Sequence, residues 1–158
     1  MRLQGKQWLV LGGSLSVAIA LLHIAIIFGG APAYRYFGAG EEMAELAAAG
    51  SVLPALLTLF LAVIFALWAL YAFSGAGLIR RLPLLRLGLA AIAGIYTLRG
   101  IGLVPQAFWM IVSPQAVAPQ EIVFSLASLF VGIAYLVGTI SAWERLTAGR
   151  QTAEPKNQ

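Results

Sequence analysis

His23 and Arg99 are ionisable side chains that lie inside two long apolar stretches of the sequence. Charge is costly in lipid, so an ionisable residue within a membrane-spanning stretch marks a functional site by default. Each residue lies five positions from the end of its stretch, which places both roughly 7 to 8 Å below the same boundary at 1.5 Å per residue. This shared depth predicts an outward-opening polar pocket centred on His23 and Arg99.

The chemistry expected of this pocket is the recognition of an anion. An arginine would hold a phosphate or a carboxylate through charge-assisted hydrogen bonds, and a histidine would act as an acid or a base near neutral pH. Four further side chains complete the candidate ligand-binding set: Tyr96, one turn below Arg99, and Tyr34, Glu41 and Glu121 near the outer surface. No nucleophile, base and orienting group occur together, so no catalytic residue is predicted.

Each of these residues also has a purely structural interpretation. His23 could hydrogen-bond to a neighbouring helix, and Arg99 could extend its stem so that its guanidinium lies among lipid phosphates. Glu121 suits the first turn of a helix, where an acid complements the helix dipole, and Glu41 belongs to a face that water would solvate. The sequence leaves these alternatives open beside the pocket hypothesis.

Residue counts exclude several kinds of cofactor site. His23 is the only histidine, so the two axial ligands of a b-type haem between helices are not available. The chain has no cysteine, which excludes disulfides, iron–sulfur clusters and thiol nucleophiles. No span contains the lysine of a retinal Schiff base, and the first span lacks the carboxylate of a small drug–proton antiporter. We therefore predict no cofactor and no metal.

The elements that must position the site are membrane-spanning helices. Of 158 residues, 61% are hydrophobic and only 10% are charged, and the mean hydropathy is +0.90, whereas a soluble domain carries about 25% charged residues. Continuous apolar runs close to the roughly 20 residues of a spanning helix predict helices and exclude a barrel. The spans are expected at about 8–28, 53–73, 87–104 and 122–143. The prediction is an all-α protein whose residues 1–146 form a four-transmembrane-helix bundle, followed by a disordered cytoplasmic tail at 147–158.

The distribution of charge predicts the orientation of these spans. Most lysines and arginines lie in the amino-terminal tail, in the loop between the second and third spans, or in the carboxy-terminal tail, whereas most acids lie in the other two loops. Cytoplasmic loops carry the excess of basic residues. Both termini are therefore expected in the cytoplasm, and the net charge of +4 indicates membrane topology rather than nucleic-acid binding.

The two loops predicted to face outward have distinct patterns. The first span should stop at 29–32, where two glycines precede a proline. Residues 38–49 then form a short amphipathic helix with its acids on one side, expected to lie flat on the outer membrane surface. The second outer loop, 105–121, contains three prolines and an apolar patch at 108–112. That patch is too short to span and is expected to be interfacial or partly re-entrant.

Small residues at helical spacing predict where the helices approach one another in lipid. Such residues recur along the first span together with His23, twice along the fourth span, and once along the third. The predicted stripes are Gly12, Ser16, Ala20 and His23; Ser128 and Gly132; Ala134 and Gly138; and Ala90, Gly94 and Thr97.

Several segments resemble an uncharacterised family of small four-span inner-membrane proteins of Gram-negative bacteria. The segments that carry the resemblance are Leu22-His23, Gly29-Gly30, the run from Tyr34 to Glu41, Ser74 to Gly77, Leu82 to Arg86, and Leu98-Arg99-Gly100. The resemblance covers the first to third spans and implies the bacterial cytoplasmic (inner) membrane. It implies no activity and no catalytic residue.

Two function classes follow from the sequence. The first is non-enzymatic binding of a lipid, a hydrophobic ligand or a partner protein. The second is a small enzyme or transporter that acts on an anionic lipid or amphiphile at the outer face. The expected partners are membrane lipids and, in addition, a second copy of the chain or another membrane protein. The first class is favoured because no catalytic constellation is present.

Overall fold

The computed structural model describes residues 2–113 and 117–148, and every regular element within them is an α-helix. The predicted all-α class is confirmed. The helices are α1 (Arg2–Tyr36), α2 (Glu41–Ala48), α3 (Leu53–Gly75), α4 (Leu85–Ile101), α5 (Leu103–Val112) and α6 (Pro119–Ala148). Residues 147 and 148 of the predicted tail belong to α6, and the rest of that tail lies outside the described residues.

Within the described residues, four helical segments are long and apolar enough to cross a membrane, as the sequence predicts. They are Gln4–Tyr36, Leu53–Gly75, Leu85–Val112 and Pro119–Glu144. Each exceeds the roughly 20 residues, or 30 Å of helix, that the hydrocarbon core requires. The four segments therefore have the length and the apolar composition expected of membrane-spanning helices.

The first helix is interrupted at the predicted glycine–proline signal, and α1 then resumes as a second helical segment that continues to Tyr36. Gly30 has φ 62° and ψ −151°, so the helix breaks at this residue and changes direction. Residues other than glycine rarely adopt this conformation. Pro32 lies in the first turn after the break, where its missing N–H is not needed by the helix. After the kink, Tyr34 of α1 packs with Ala44 of α2, and Phe37 stacks on Phe124 of α6.

The third span is predicted to end near residue 104. In the structure α4 ends earlier, at Ile101, and a further helix, α5, begins at Leu103 after the single residue Gly102. The apolar patch at 108–112 is thus the second half of α5. Pro105 does not end the helix because it lies in the first turn of α5, where a proline costs no backbone hydrogen bond.

The long helices are arranged so that α1 packs between α3 and α6, and α6 packs between α1 and α4. The contact between α3 and α4 is much less extensive. Two side chains that border this α3–α4 gap, Leu61 and Ile95, are 43% and 51% exposed. The helices therefore enclose a space that is least closed between α3 and α4.

Glycines allow the helix backbones to approach one another closely. A Cβ atom on Gly100 of α4 would lie 2.6 Å from the Cα atom of Leu129 in α6, and one on Gly132 of α6 would lie 2.8 Å from the backbone nitrogen of Thr97 in α4. In α1, Leu9 approaches Gly138 of α6 in the same way, with 3.0 Å between its backbone nitrogen and the added Cβ. Backbones can approach this closely only where side chains are absent.

The small-residue stripes predicted on the first and fourth spans are confirmed. Gly12, Ser16 and Ala20 of α1 lie at helix contacts, as do the paired small residues of α6. Of the stripe predicted on the third span, Thr97 lies at the contact with Gly132 of α6. The prediction is wrong for Ala90 and Gly94, which are exposed. The packed face of α4 consists of Leu85, Leu89, Ile92, Ala93, Tyr96 and Gly100.

Candidate functional site

A cavity of about 390 Å³ lies between α1, α3, α4 and α6. It occupies the space from the middle of the helices toward the end that carries α2, called here the α2 side. His23, Tyr96 and Arg99 all line this interhelical cavity, and Phe37 covers it from the turn after α1. Three of the six predicted site residues are thus brought together.

The lining is mainly aromatic and apolar, so the prediction of a polar pocket is wrong in its chemistry. Phe65 and Trp68 of α3 pack edge to face, with ring centroids 5.2 Å apart, and Trp68 packs similarly on Tyr96 at 5.1 Å. Phe37 stacks on Phe124 of α6 at 5.7 Å. These rings give the cavity an apolar body, and the few polar groups lie at particular points of its wall.

His23 presents one free ring nitrogen to its surroundings. Its Nδ1 lies 2.8 Å from the backbone oxygen of Ile19, one turn earlier in α1. A carbonyl oxygen can only accept, so Nδ1 carries the hydrogen, and in the neutral ring Nε2 is an acceptor. The ring packs against Phe65 with centroids 4.9 Å apart. The structural interpretation of His23 was a hydrogen bond to a neighbouring helix. The bond that Nδ1 makes is instead within its own helix.

Arg99 lines the cavity one turn closer to the α2 side than Tyr96, and its side chain is exposed. Among the residues that the structure describes, no carboxylate lies within 4 Å of its guanidinium. Arg99 thus combines a place on the cavity wall with donors that no acid of the described residues neutralises. An arginine in this position favours anions over neutral groups.

A chain of three hydroxyl groups lies beneath the cavity and connects all four long helices. Ser16 Oγ is 3.1 Å from the Tyr96 hydroxyl and 2.9 Å from the Tyr135 hydroxyl, and Tyr135 donates to the backbone oxygen of Trp68 at 3.0 Å. All three hydroxyl-bearing side chains are buried.

The hydrogens of this chain can point in only one direction. Tyr135 uses its single hydrogen on the Trp68 carbonyl, so Ser16 must donate to Tyr135, and Tyr96 must in turn donate to Ser16. The Tyr96 hydroxyl consequently offers the cavity an acceptor and no donor. Tyr96 was predicted as a ligand-binding residue. It could contact a ligand only by accepting a hydrogen bond at its hydroxyl or by packing through its ring, which forms part of the cavity floor.

The other three predicted site residues do not line the cavity. Tyr34 is 2% exposed and packs with Ile26 and Ala44, and its hydroxyl has no hydrogen-bond partner. Glu121 is exposed at the start of α6. Glu41 receives hydrogen bonds from Arg35, at 2.8 and 3.0 Å from Nε and 2.6 Å from Nη2. Tyr34, Glu41 and Glu121 were predicted to lie near the same surface as the cavity, but that position did not make them part of its lining.

The Arg35–Glu41 pair makes a testable prediction about pH. Hydrogen bonding from Arg35 lowers the pKa of the Glu41 carboxyl below its ordinary value. The pair should therefore be fully formed above that ordinary value and be lost as pH falls through the lowered one. A carbon NMR titration of the Glu41 carboxyl should show this low pKa, and Arg35→Gln should raise it. An unchanged titration in Arg35→Gln would mean that the ion pair does not form in solution.

Sequence reasoning missed the aromatic walls and the Tyr135 hydroxyl. Leu61, Phe65 and Trp68 follow one another at helical spacing, so their common face could have been recognised. Aromatic residues at such spacing are common at lipid-facing positions, however, and the pattern does not say which face is enclosed. No signal in the sequence pairs Tyr135 with Ser16 across two helices.

Residues 2–113 and 117–148 contain no cluster of three histidine, aspartate or glutamate side chains arranged as metal ligands. The cavity instead offers a cationic donor group, an imidazole acceptor and an aromatic body. Comparison with protein-family models, with curated proteins and with solved structures finds no match to this chain.

Proposed function

We propose that the chain is a multi-pass protein of the bacterial cytoplasmic membrane, in which α1, α3, α4 and α6 form a four-helix bundle with both termini in the cytoplasm. The lengths of the four apolar segments and the basic residues near the termini and at 80–86 support this topology. In this orientation α2 is an amphipathic helix at the outer interface, with Glu41, Glu42 and Glu45 toward water. The resemblance to four-span inner-membrane proteins is compatible with the same location.

The orientation can be tested by cysteine labelling because the chain has no cysteine of its own. Glu45→Cys, on an exposed position of α2, should react with an impermeant maleimide added to intact cells. Leu78→Cys, exposed in the loop between α3 and α4, should react only after the membrane is permeabilised. Labelling of Leu78→Cys alone in intact cells would reverse the proposed topology.

We further propose that the protein binds a hydrophobic or amphiphilic molecule of the membrane without transforming it. The observation that supports this function is the aromatic cavity of about 390 Å³, a size within the roughly 300 to 1,000 Å³ of small-molecule sites. Its incomplete closure between α3 and α4 would admit a ligand laterally from the bilayer. Trp68 and Tyr96 form the floor against which an apolar chain would pack.

The geometry supports binding better than catalysis. A catalytic histidine is commonly oriented by a carboxylate or a similar group that also stabilises its charged form. His23 is instead held by the carbonyl of Ile19 in its own helix. The Tyr96 hydroxyl donates its hydrogen to Ser16, so it is not free to act as an acid. The alternative of an enzyme or transporter for anionic amphiphiles gains no support from these contacts.

Binding can be measured at the cavity itself through Trp68. In a form with Trp8, Trp109 and Trp143 replaced by phenylalanine, Trp68 is the remaining tryptophan of the four; we call this the Trp68 reporter. In phosphatidylcholine nanodiscs, 10-bromodecan-1-ol should quench its fluorescence with saturation. Ala127→Phe, which fills the cavity from α6, should abolish the saturable part.

Ala90→Phe is the matched control, because Ala90 is exposed on α4 and does not line the cavity. It should leave saturable quenching unchanged. Quenching that rises linearly, without saturation, and equally in both variants would show that the bromide only partitions into lipid. That outcome would refute the proposed binding function.

A further inference from the structure

Arg99 and His23, two of the polar residues that line the interhelical cavity, have complementary hydrogen-bonding capacities. Arg99 has only donors and a permanent positive charge, and no carboxylate lies near it among the described residues. His23 has Nδ1 engaged with the Ile19 carbonyl, which leaves Nε2 as an acceptor in the neutral ring. A ligand that satisfies both residues must carry a negatively charged oxygen and also a hydrogen that Nε2 can accept.

A phosphate monoester meets both requirements near neutral pH. Its second pKa is about 6, so the monoanion, with one charged oxygen and one P–OH group, is readily available. The P–OH group of the monoanion can therefore donate its hydrogen to Nε2 of His23 while a charged oxygen accepts from Arg99. A sulfate ester has no such proton, and its oxygens would face the lone pair of the neutral Nε2.

The lining offers the headgroup no second cationic group among the described residues. Among the described lining residues, those that titrate or carry charge beside His23 are Tyr96 and Arg99, both on α4; α3, α6 and Phe37 contribute none. The Tyr96 hydrogen is donated to Ser16, and the Ser128 hydrogen is donated to the Phe124 carbonyl. Neither hydroxyl has a hydrogen left for the headgroup, so Arg99 is the cationic group of the described lining that a headgroup would contact.

The size of the cavity limits the apolar part of the ligand. Its volume of about 390 Å³ lies toward the lower end of the roughly 300 to 1,000 Å³ of small-molecule sites. This size favours a ligand with one hydrocarbon chain, which would pack beside Phe65 and Trp68. A longer chain would leave through the gap between α3 and α4.

We propose that the interhelical cavity selects a single-chain amphiphile with a phosphate monoester headgroup. The headgroup lies between Arg99 and Nε2 of His23, and the chain lies on the aromatic floor formed by Phe65, Trp68 and Tyr96. This proposal rests on the proposed binding function and names its ligand class.

The test compares three ligands of equal chain length in the Trp68 reporter: 10-bromodecyl phosphate, 10-bromodecyl sulfate and 10-bromodecan-1-ol. The phosphate should bind about tenfold more tightly than the sulfate, because the sulfate leaves Nε2 without a hydrogen bond. His23→Phe should remove this difference by weakening only the phosphate. Arg99→Gln should weaken both anions about tenfold or more and leave the alcohol unchanged.

Binding of 10-bromodecan-1-ol by both variants shows that the cavity is still folded, so loss of selectivity in these variants is interpretable. Equal affinities for phosphate and sulfate in the Trp68 reporter would overturn the proposal, and so would a preference for phosphate that survives His23→Phe. If the alcohol still bound saturably, the proposed binding function would stand. Absence of saturable binding by all three ligands would refute both.

Inorganic phosphate separates the amphiphile from the free ion as the source of the headgroup. At concentrations up to the millimolar range it should not displace 10-bromodecyl phosphate, because the chain contributes much of the affinity. Displacement by inorganic phosphate at the concentration that half-saturates the amphiphile would overturn the assignment of an amphiphilic ligand and indicate a site for the free ion.

Discussion

Gly100→Ala should lower the free energy of unfolding by about 1 to 3 kcal/mol, the usual cost of forcing extra volume into a packed contact. The added Cβ would lie 2.6 Å from the Cα atom and 2.7 Å from the backbone nitrogen of Leu129. Backbone atoms cannot move aside as a flexible side chain can, so α4 and α6 would have to separate. Because this pair forms one of the two most extensive helix contacts, the effect should be among the largest of any single methyl group.

The same substitution at Gly94 should have the opposite sign. Gly94 also lies in α4, but nothing lies within 4 Å of a Cβ added there. Gly94→Ala should therefore stabilise the protein by up to about 0.5 to 1 kcal/mol, since alanine is the better helix former and restricts the unfolded chain. Reversible unfolding in mixed micelles, followed by circular dichroism, compares the two variants. Equal effects would show that α4 presents a different face to α6.

Ser16→Ala should cost about 1 to 2 kcal/mol, at the upper end of measured values for hydrogen bonds between membrane helices. The substitution is sterically mild because the residue lies in a stripe of small side chains. It removes the only acceptor assigned to the Tyr96 hydroxyl, whose donor is then left buried and unsatisfied. Tyr135 keeps its bond to the Trp68 carbonyl.

The direction of the hydroxyl chain makes a second substitution act as a partial rescue. Tyr96→Phe removes the donor that Ser16→Ala leaves unsatisfied, so the double variant should be at least as stable as Ser16→Ala alone. Tyr96→Phe by itself should cost less than Ser16→Ala, because it leaves Ser16 still donating to Tyr135. The same unfolding measurement tests both statements. A greater cost for Tyr96→Phe than for Ser16→Ala would contradict the assigned direction.

The sequence predicted the depth of the site residues along the helices better than the side of each helix on which they lie. His23 and Arg99 were placed at one depth by counting residues from the ends of their spans, and they line one cavity. Glu121 and Tyr34 were placed near the same surface by the same counting, yet neither lines the cavity. Counting along a helix gives height at 1.5 Å per residue, but it does not give the neighbour that each face meets.

The helix boundaries have local causes. Glycines shortly before a proline are a standard stop signal, and at Gly30 the positive φ interrupts α1 as predicted, after which the chain forms another helical segment. Pro105 was taken to end a span, but it lies in the first turn of the next helix, where it is tolerated. Such signals mark a break in hydrogen bonding, and only the continuing chain determines whether a new helix starts there.

The sequence by itself determined the helical class, the four long apolar segments and the small-residue contacts of α1 and α6, because lipid requires internally bonded backbones and close packing selects small side chains. Only the tertiary structure decided that α4 packs through Gly100 rather than through Ala90 and Gly94, that Tyr135 joins Ser16, and that aromatic rings enclose the space beside His23 and Arg99. The physical reason is that lipid chains are as apolar as the interior of the protein. Hydrophobic patterning therefore does not distinguish the inner from the outer face of a spanning helix, and packing alone determines its rotation.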